Sequence, residues 1–453
     1  MEVVYYLSPY IPGIGNIADP LLEDMRNTMR ILLKRAKIVD PTSKHHNKKR
    51  DIFIRSGKIE KIGTNLDVKA SQIIDYNNLH VSTGWCDIGC QIGEPGYEHR
   101  ETIRSFARAA AAGGYTTTAC FANTNPALDN SSPIQYVISG SRDTAIDILP
   151  IGAITTGAKG QEIAELQDMH NSGAVAFSDG RYPLAHTGIM KLALHYVKTF
   201  NGLVINRPFD KDLVSSGQMH EGLMSTSLGM NGFPHIAERI VLERDLRLLE
   251  YAESRLHAFG ISSAISVNLI AAARKSGLHV STSVPALNLL FTDKKLGDFG
   301  TNFKVMPPLR EEKDRLALIN GIRSGTIEAI SSNHEPLEEE EKKLEFANAG
   351  FGSTGLQTAF ALANTALHDK IELEEIIHCF STGPRKILGL DAISISEGMP
   401  AVLTLFDPDA TWTPTEEDLL SKSKNSAALN IQLKGRALGI VNKKTIQTSL
   451  DKK

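Results

Sequence analysis

The chain has 453 residues, of which 42% are hydrophobic and 22% charged, and its formal net charge is −3. That balance gives no electrostatic bias toward nucleic acid or an anionic membrane. Four cysteines (Cys86, Cys90, Cys120, Cys379) are too few for a disulfide framework, and neither a signal-like start nor an apolar run of roughly 18 residues is present, so the expectation is a protein of the reducing cytoplasm.

Residues 1–28 carry three prolines and match nothing that follows. Two readings stay open for them: an ordered arm that packs on a partner, or sequence upstream of a later start at Met25 or Met29. From 29 to 80, short alternating segments such as ILLKRAKIVD and DIFIRSGKIEKIG are separated by turn residues and predict a small β-rich unit. The pattern returns near the end in MPAVLTLFDPD and IQLKGRALGIVNKKTIQT, which suggests one composite β-domain built from 29–80 plus 388–453. Between them, 81–387 alternates helix-like and strand-like pieces, for example TIRSFARAAAAGG then YTTTACFAN, and EIAELQDMHNSG then AVAFSDG. Repeated helix–strand units mean parallel strands with crossover helices, and about eight of them favour an α/β TIM-type (β/α)8 barrel. No GxGxxG or GxxxxGK[ST] follows a strand, so nucleotide-binding readings lack a phosphate cradle.

In such a barrel the chemistry sits at the C-terminal ends of the strands. Those ends read CDIGCQIGEPG, CFANTNP, AFSDG, LVINRP, LHAFGISS, TSVPALN and ISSNHEP. A metal hydrolase needs imidazoles and carboxylates converging there to depress the pKa of a bound water. Here no His-x-His occurs among 14 histidines, and the strand ends offer mainly Gly, Gln, Asn and Cys.

The ordered blocks EPGYE, FANTNP, AFSDG, GFPHIAERIVLERD, PPLR followed by Asp314, SSNHEP and GFGSTGL resemble the dihydroorotases of the amidohydrolase superfamily over roughly residues 31 to 440. The resemblance implies a metal-bearing barrel, a composite β-sandwich from both termini, zinc as cofactor, and ring opening and closure of dihydroorotate in pyrimidine synthesis. Position by position, this chain departs from the pattern. The first strand of the family carries Asp-x-His-x-His-x-Arg and then Glu-Pro-Gly; here stand Asp87, Gly89, Gln91 and Gly93, then Glu94, Pro95 and Gly96. Asn123 matches a substrate-contacting asparagine and Asp179 the bridging acidic ligand. Asn206 and Gly260 stand where two further ligand histidines are expected, and Asn333 replaces the aspartate that is both ligand and proton shuttle, followed by His334. Met306 replaces another substrate-contacting asparagine.

Of the six ligand positions 89, 91, 179, 206, 260 and 333, the resemblance leaves only Asp179, and one carboxylate cannot hold a zinc that wants four ligands. Losing a metal-bound water of pKa near 7 costs on the order of 12 kcal/mol of activation. The expectation is therefore no metal and no cofactor, with Asp179, Asn333 and His334 vestigial and Asn123 a candidate substrate contact. Plainer readings stand beside these: Asp179 capping a turn, His334 as a hydrogen-bonded structural histidine, Cys86 and Cys90 as packed thiols, the acidic run at 337–346 as a solvated face. His45 and His46 are assigned no role.

Three functions fit. The first is a catalytically silent dihydroorotase homologue kept as an assembly or regulatory subunit, for example with aspartate carbamoyltransferase or another pyrimidine-pathway enzyme, as a homodimer or larger. The second is an active cyclic-amide hydrolase with a remodelled site using Asp179, His334 or Cys90. The third is a ligand-sensing barrel that binds a pyrimidine precursor through Asn123.

Overall fold

The computed structural model describes residues 29–449; the N-terminal extension 1–28 lies outside them. The first strands are β1 (Arg30–Val39), β2 (Lys49–Arg55), β3 (Lys58–Gly63), β4 (Gln72–Ile74) and β5 (His80–Thr83). Together with β16 (Val402–Trp412), β17 (Leu433–Asn442) and β18 (Thr445–Thr448) they form one sheet of order β18-β17-β16-β5-β1-β2-β3, with β4 parallel to β1. The two ends of the chain thus share a sheet because β5 pairs antiparallel with β16, Val81 opposite Leu405. Its apolar face, including Ile31, Leu33, Ile52, Ile54, Val81, Leu403 and Leu405, is buried as a core of its own.

The barrel strands are β6 (Trp85–Cys90), β7 (Tyr115–Cys120), β8 (Asp147–Gly152), β9 (Ala176–Phe177), β10 (Val204–Asn206), β13 (Leu256–Ala258), β14 (Val280–Pro285) and β15 (Ala329–Ser331), all parallel and hydrogen-bonded in that order. The fold is the expected α/β TIM-type (β/α)8 barrel with a sheet domain from both termini. The ring is drawn shut between β15 and β6 by side chain and backbone: Ser332 N donates to Asp87 Oδ1 at 2.9 Å, and Gln91 N to the His334 carbonyl at 2.9 Å. A short excursion of β11 (Met219–His220) and β12 (Gly232–Phe233) interrupts the repeat between β10 and β13.

Trp85 couples the two units. Fully buried, it lies 4.7 Å from Phe360, 5.3 Å from Phe380 and 5.5 Å from Phe406, ring centre to ring centre, and Phe406 belongs to the sheet domain. Such contacts contribute about 0.5–1.5 kcal/mol each beyond area burial. They anchor the first barrel strand, whose far end carries the positions of chemical interest.

Candidate active site

At the mouth, each sequence-predicted residue has a definite structural task. Asp87 is fully buried; its carboxylate accepts from Ser332 N, from the Ser332 hydroxyl and from Cys90 Sγ at 3.0 Å. Burial pushes its pKa up, opposed by those hydrogen bonds. The Cys90 thiol is buried and raised well above its ordinary range by desolvation, so it stays a neutral thiol rather than a nucleophile. All four cysteines are buried and outside any disulfide.

Gly89 has φ +84°, and a Cβ there would fall 2.4 Å from Phe259 Cε2 and 2.8 Å from Phe121 Cε2. The space into which a ligand side chain would project is filled by these two rings, packed edge to face at 5.0 Å. Gly93, where the resemblance led to the expectation of an arginine, has φ +79°, and its Cβ would lie 2.5 Å from the Glu101 carbonyl. Neither position takes the family's side chain without rebuilding its neighbours.

Asp179 spends both oxygens on the loop after β8. Oδ1 accepts from Ile154 N and Thr155 N, each at 2.9 Å, and Oδ2 from Thr155 Oγ1 at 2.7 Å. Burial raises its pKa, with those donors pulling the other way. Asn206 is equally occupied: Nδ2 donates to Asp245 Oδ2 at 2.6 Å and Oδ1 accepts from Leu184 N at 3.0 Å. Gly260, at φ +69°, has no side chain to coordinate a metal, and its N donates to Ser283 Oγ at 3.3 Å. Asn333 Nδ2 donates to the Met306 carbonyl at 3.0 Å, while Oδ1 accepts from Arg207 Nη2 at 3.2 Å.

Arg207 is the residue the correspondence passed over. Its guanidinium is buried, donates from Nη1 to the Met306 carbonyl at 2.7 Å, and lies 5.0 Å over the Phe259 ring. Desolvation lowers its pKa to about 10, so it remains a cation at neutral pH. Arg207 directly follows Asn206 in LVINRP, while Phe121 and Phe259 sit inside CFANTNP and LHAFGISS. The signal was available as bulk and charge at strand ends, not as a ligand pattern.

His334 is buried with Nδ1 accepting from Gly355 N at 3.2 Å, which places its proton on Nε2, facing Glu101 Oε2 at 3.5 Å. Burial works to raise Glu101, but His334 and the hydroxyls of Ser105 and Ser421 outweigh it and hold the carboxyl below its usual range. The pair ties the last barrel strand to the C-terminal segment rather than facing a substrate.

A cavity of about 160 Å³ remains above these residues. Of the candidate residues it is lined by Gln91 and Asn123, joined by Gly93, Tyr97, Arg100, Arg181, Tyr182 and Glu335. Gln91 Nε2 donates to Asn123 Oδ1 at 3.2 Å, and Asn123 Nδ2 to the Asp179 carbonyl at 3.0 Å. Arg181 Nε meets Glu335 Oε1 at 2.5 Å, and that charge raises the guanidinium further. Arg100 is held by Glu338 at 2.5 Å and Glu341 at 2.6 Å. The acidic run is therefore only partly a solvated face: Lys342 is buried, donating to the carbonyls of Thr301, Gly350 and Gly352.

Zinc needs donors about 2.0–2.2 Å from one point with free lone pairs. At the mouth, position 89 is backed by aromatic rings, Asp179, Asn206 and Asn333 have their polar atoms engaged, and a buried guanidinium adds positive charge. These residues do not fit the metal. The expectation of no metal anywhere is qualified, however, by one group among the described residues: His220, Glu311 and Asp314, whose potential ligand atoms lie within 4.8 Å of one another. None of the six carried-over positions belongs to it.

A dihydro-orotase-like family model matches residues 80–266. The chain is 37% identical over 410 residues to a dihydroorotase of Thermoanaerobacter sp. (strain X514), covering 90% of this chain and 94% of that one. It is 38% identical over 406 residues to a dihydroorotase of Caldicellulosiruptor saccharolyticus, covering 88% and 94%. Among solved structures, an L-hydantoinase (dihydropyrimidinase) from Arthrobacter aurescens superposes with a TM-score of 0.81 over 92% of this chain and 95% of that one; at 21% identity it speaks for the fold alone. Matched at this identity over nine-tenths of its length, the chain belongs to the dihydroorotase family.

Proposed function

We propose that this family member is catalytically silent at the barrel mouth and acts as a non-catalytic assembly or regulatory subunit in pyrimidine biosynthesis, with aspartate carbamoyltransferase as the first partner to test. The observation that carries the reading is the filled space at Gly89, where the Phe259 ring stands 2.4 Å from any added Cβ. The engaged polar atoms of Asp179 and Asn333 and the buried cation of Arg207 support it. Asp179, His334 and Cys90, the residues a remodelled enzyme would recruit, are all committed to internal hydrogen bonds and do not line the cavity. Without a metal-activated water or a free base, the mouth lacks a group to attack an amide.

A second reading, an active cyclic-amide hydrolase with a remodelled site, draws on the high identity to chains named dihydroorotase and on the polar cavity at Gln91, Asn123 and Arg181. A dihydroorotate ring-opening and ring-closure assay on zinc-supplemented protein separates the two. Background rates are expected; turnover would favour the hydrolase. The assembly role is tested by mixing the protein with aspartate carbamoyltransferase and measuring mass by light scattering. A stable complex is expected, and elution as separate species would remove that partner.

A further inference from the structure

We propose that His220, Glu311 and Asp314 form a binding site for a divalent transition metal of the zinc class, built on the β11–β12 excursion and the start of the helix Glu312–Arg323. The three side chains bring one imidazole and two carboxylates to within 4.8 Å of one another, and three protein donors with a position left for water is a common zinc arrangement.

A second observation marks the group as a receptor rather than an accidental cluster. Asp314 is 5% exposed; its Oδ1 accepts from Ala264 N at 2.9 Å, but its Oδ2 is buried with no hydrogen-bond partner. A buried carboxylate oxygen left unmatched is destabilising, and a cation removes that cost. His235, whose ring centre is 5.9 Å from that of His220, also has a buried, unpartnered Nδ1.

The surrounding charges set the character of the site. Lys313 Nζ is 2.8 Å from Glu311 Oε2, but its side chain is largely exposed and swings away at little cost. Arg310 donates from Nη1 to His220 Nδ1 at 3.1 Å, so in the metal-free state the imidazole proton sits on Nε2. Metal binding at Nε2 moves that proton to Nδ1 and releases this one contact. Arg310 keeps its bond to Ser262 at 2.6 Å and its buried ion pair with Glu238 at 3.3 Å. The need to release Arg310 and Lys313 predicts binding weaker than a structural zinc site, and selection for metals that bind imidazole well over magnesium or calcium.

The test uses the full chain stripped with a chelator and titrated with zinc alone, by calorimetry and by the visible spectrum of the cobalt form. One ion per chain is expected, with a zinc-dependent rise in Tm. Glu311→Gln, at a half-buried surface position that leaves the fold intact, and His220→Gln each weaken binding at least tenfold and abolish the Tm rise, whereas Asn123→Ala in the mouth changes neither. Absence of zinc binding by the unaltered chain, or zinc retained with unchanged affinity in both variants, overturns the site. Ring-opening activity is read in parallel: turnover would sink the silent-mouth reading while leaving this site standing, and the reverse holds for failed zinc binding.

Discussion

Phe259 stands directly over Gly89: an added Cβ would meet its ring edge at 2.4 Å, with Phe121 closing the other side at 2.8 Å. The pair converts what the family uses as a ligand position into hydrophobic core. Gly89→Ala should therefore destabilise the protein by about 2–4 kcal/mol, from forcing an L side chain into positive φ and from overpacking. Urea denaturation checks this; a change within about 0.5 kcal/mol would mean the rings yield freely and the space is not truly filled.

Arg207 links three parts of the mouth through the Met306 carbonyl, the Asn333 amide and the Phe259 face. Arg207→Met leaves Asn333 Oδ1 without a donor and the Met306 carbonyl with Asn333 Nδ2 alone, and should cost about 1–3 kcal/mol if water does not reach the freed oxygen. Arg207→Lys should recover little, because a single ammonium cannot bridge both oxygens and stack on the ring at once. Equal stability of the Lys variant and the parent in denaturant titrations would argue that only charge matters there.

Asp179 is the acidic position that the resemblance matches to a ligand, and its bonds to Ile154 N, Thr155 N and Thr155 Oγ1 tie it to a loop. Asp179→Asn should lower stability by about 1–3 kcal/mol while leaving the zinc content per chain unchanged. A variant that keeps its stability but loses bound metal would return the residue to a ligand role.

The barrel could be read from sequence because helix–strand alternation repeats regularly, as in EIAELQDMHNSG followed by AVAFSDG, and each repeat reports the same local physics. Similar patterning at the two ends pointed to a shared β-domain, but not to the particular pairing of β5 with β16. The mouth was less legible. Correspondence with a family asks what is missing at Gly89 or Asn206, not what fills the vacated volume, so Arg207, Phe121 and Phe259 read as ordinary neighbours. The two-residue strands Met219–His220 and Gly232–Phe233 are too short to leave a periodic trace. Through them His220 meets Glu311 and Asp314, which lie far along the chain, and only the fold brings such residues together.

His257 offers a pH test independent of both sites. It is fully buried on β13 between Ser281 Oγ at 2.9 Å and Ser283 Oγ at 3.0 Å, and burial pushes its pKa down to about 3 from an ordinary 6.5. Below pH 6.5 the unfolded chain takes up a proton that the folded chain refuses, so this stabilisation is present above 6.5 and is lost as pH falls toward 3. In His257→Asn the slope of unfolding free energy against pH between 6.5 and 4 should be shallower than in the parent by about 1.4 kcal/mol per unit. Parallel slopes would show that the imidazole protonates in the folded protein at its ordinary pH.

The most direct test of the mouth as a site unable to hold a metal is an anomalous-difference map, recorded at the zinc edge from crystals grown with excess zinc. Expected is no peak within coordinating distance of Gln91, Asp179, Asn206 or Asn333. A peak at the mouth with those side chains turned toward it would contradict the central claim outright.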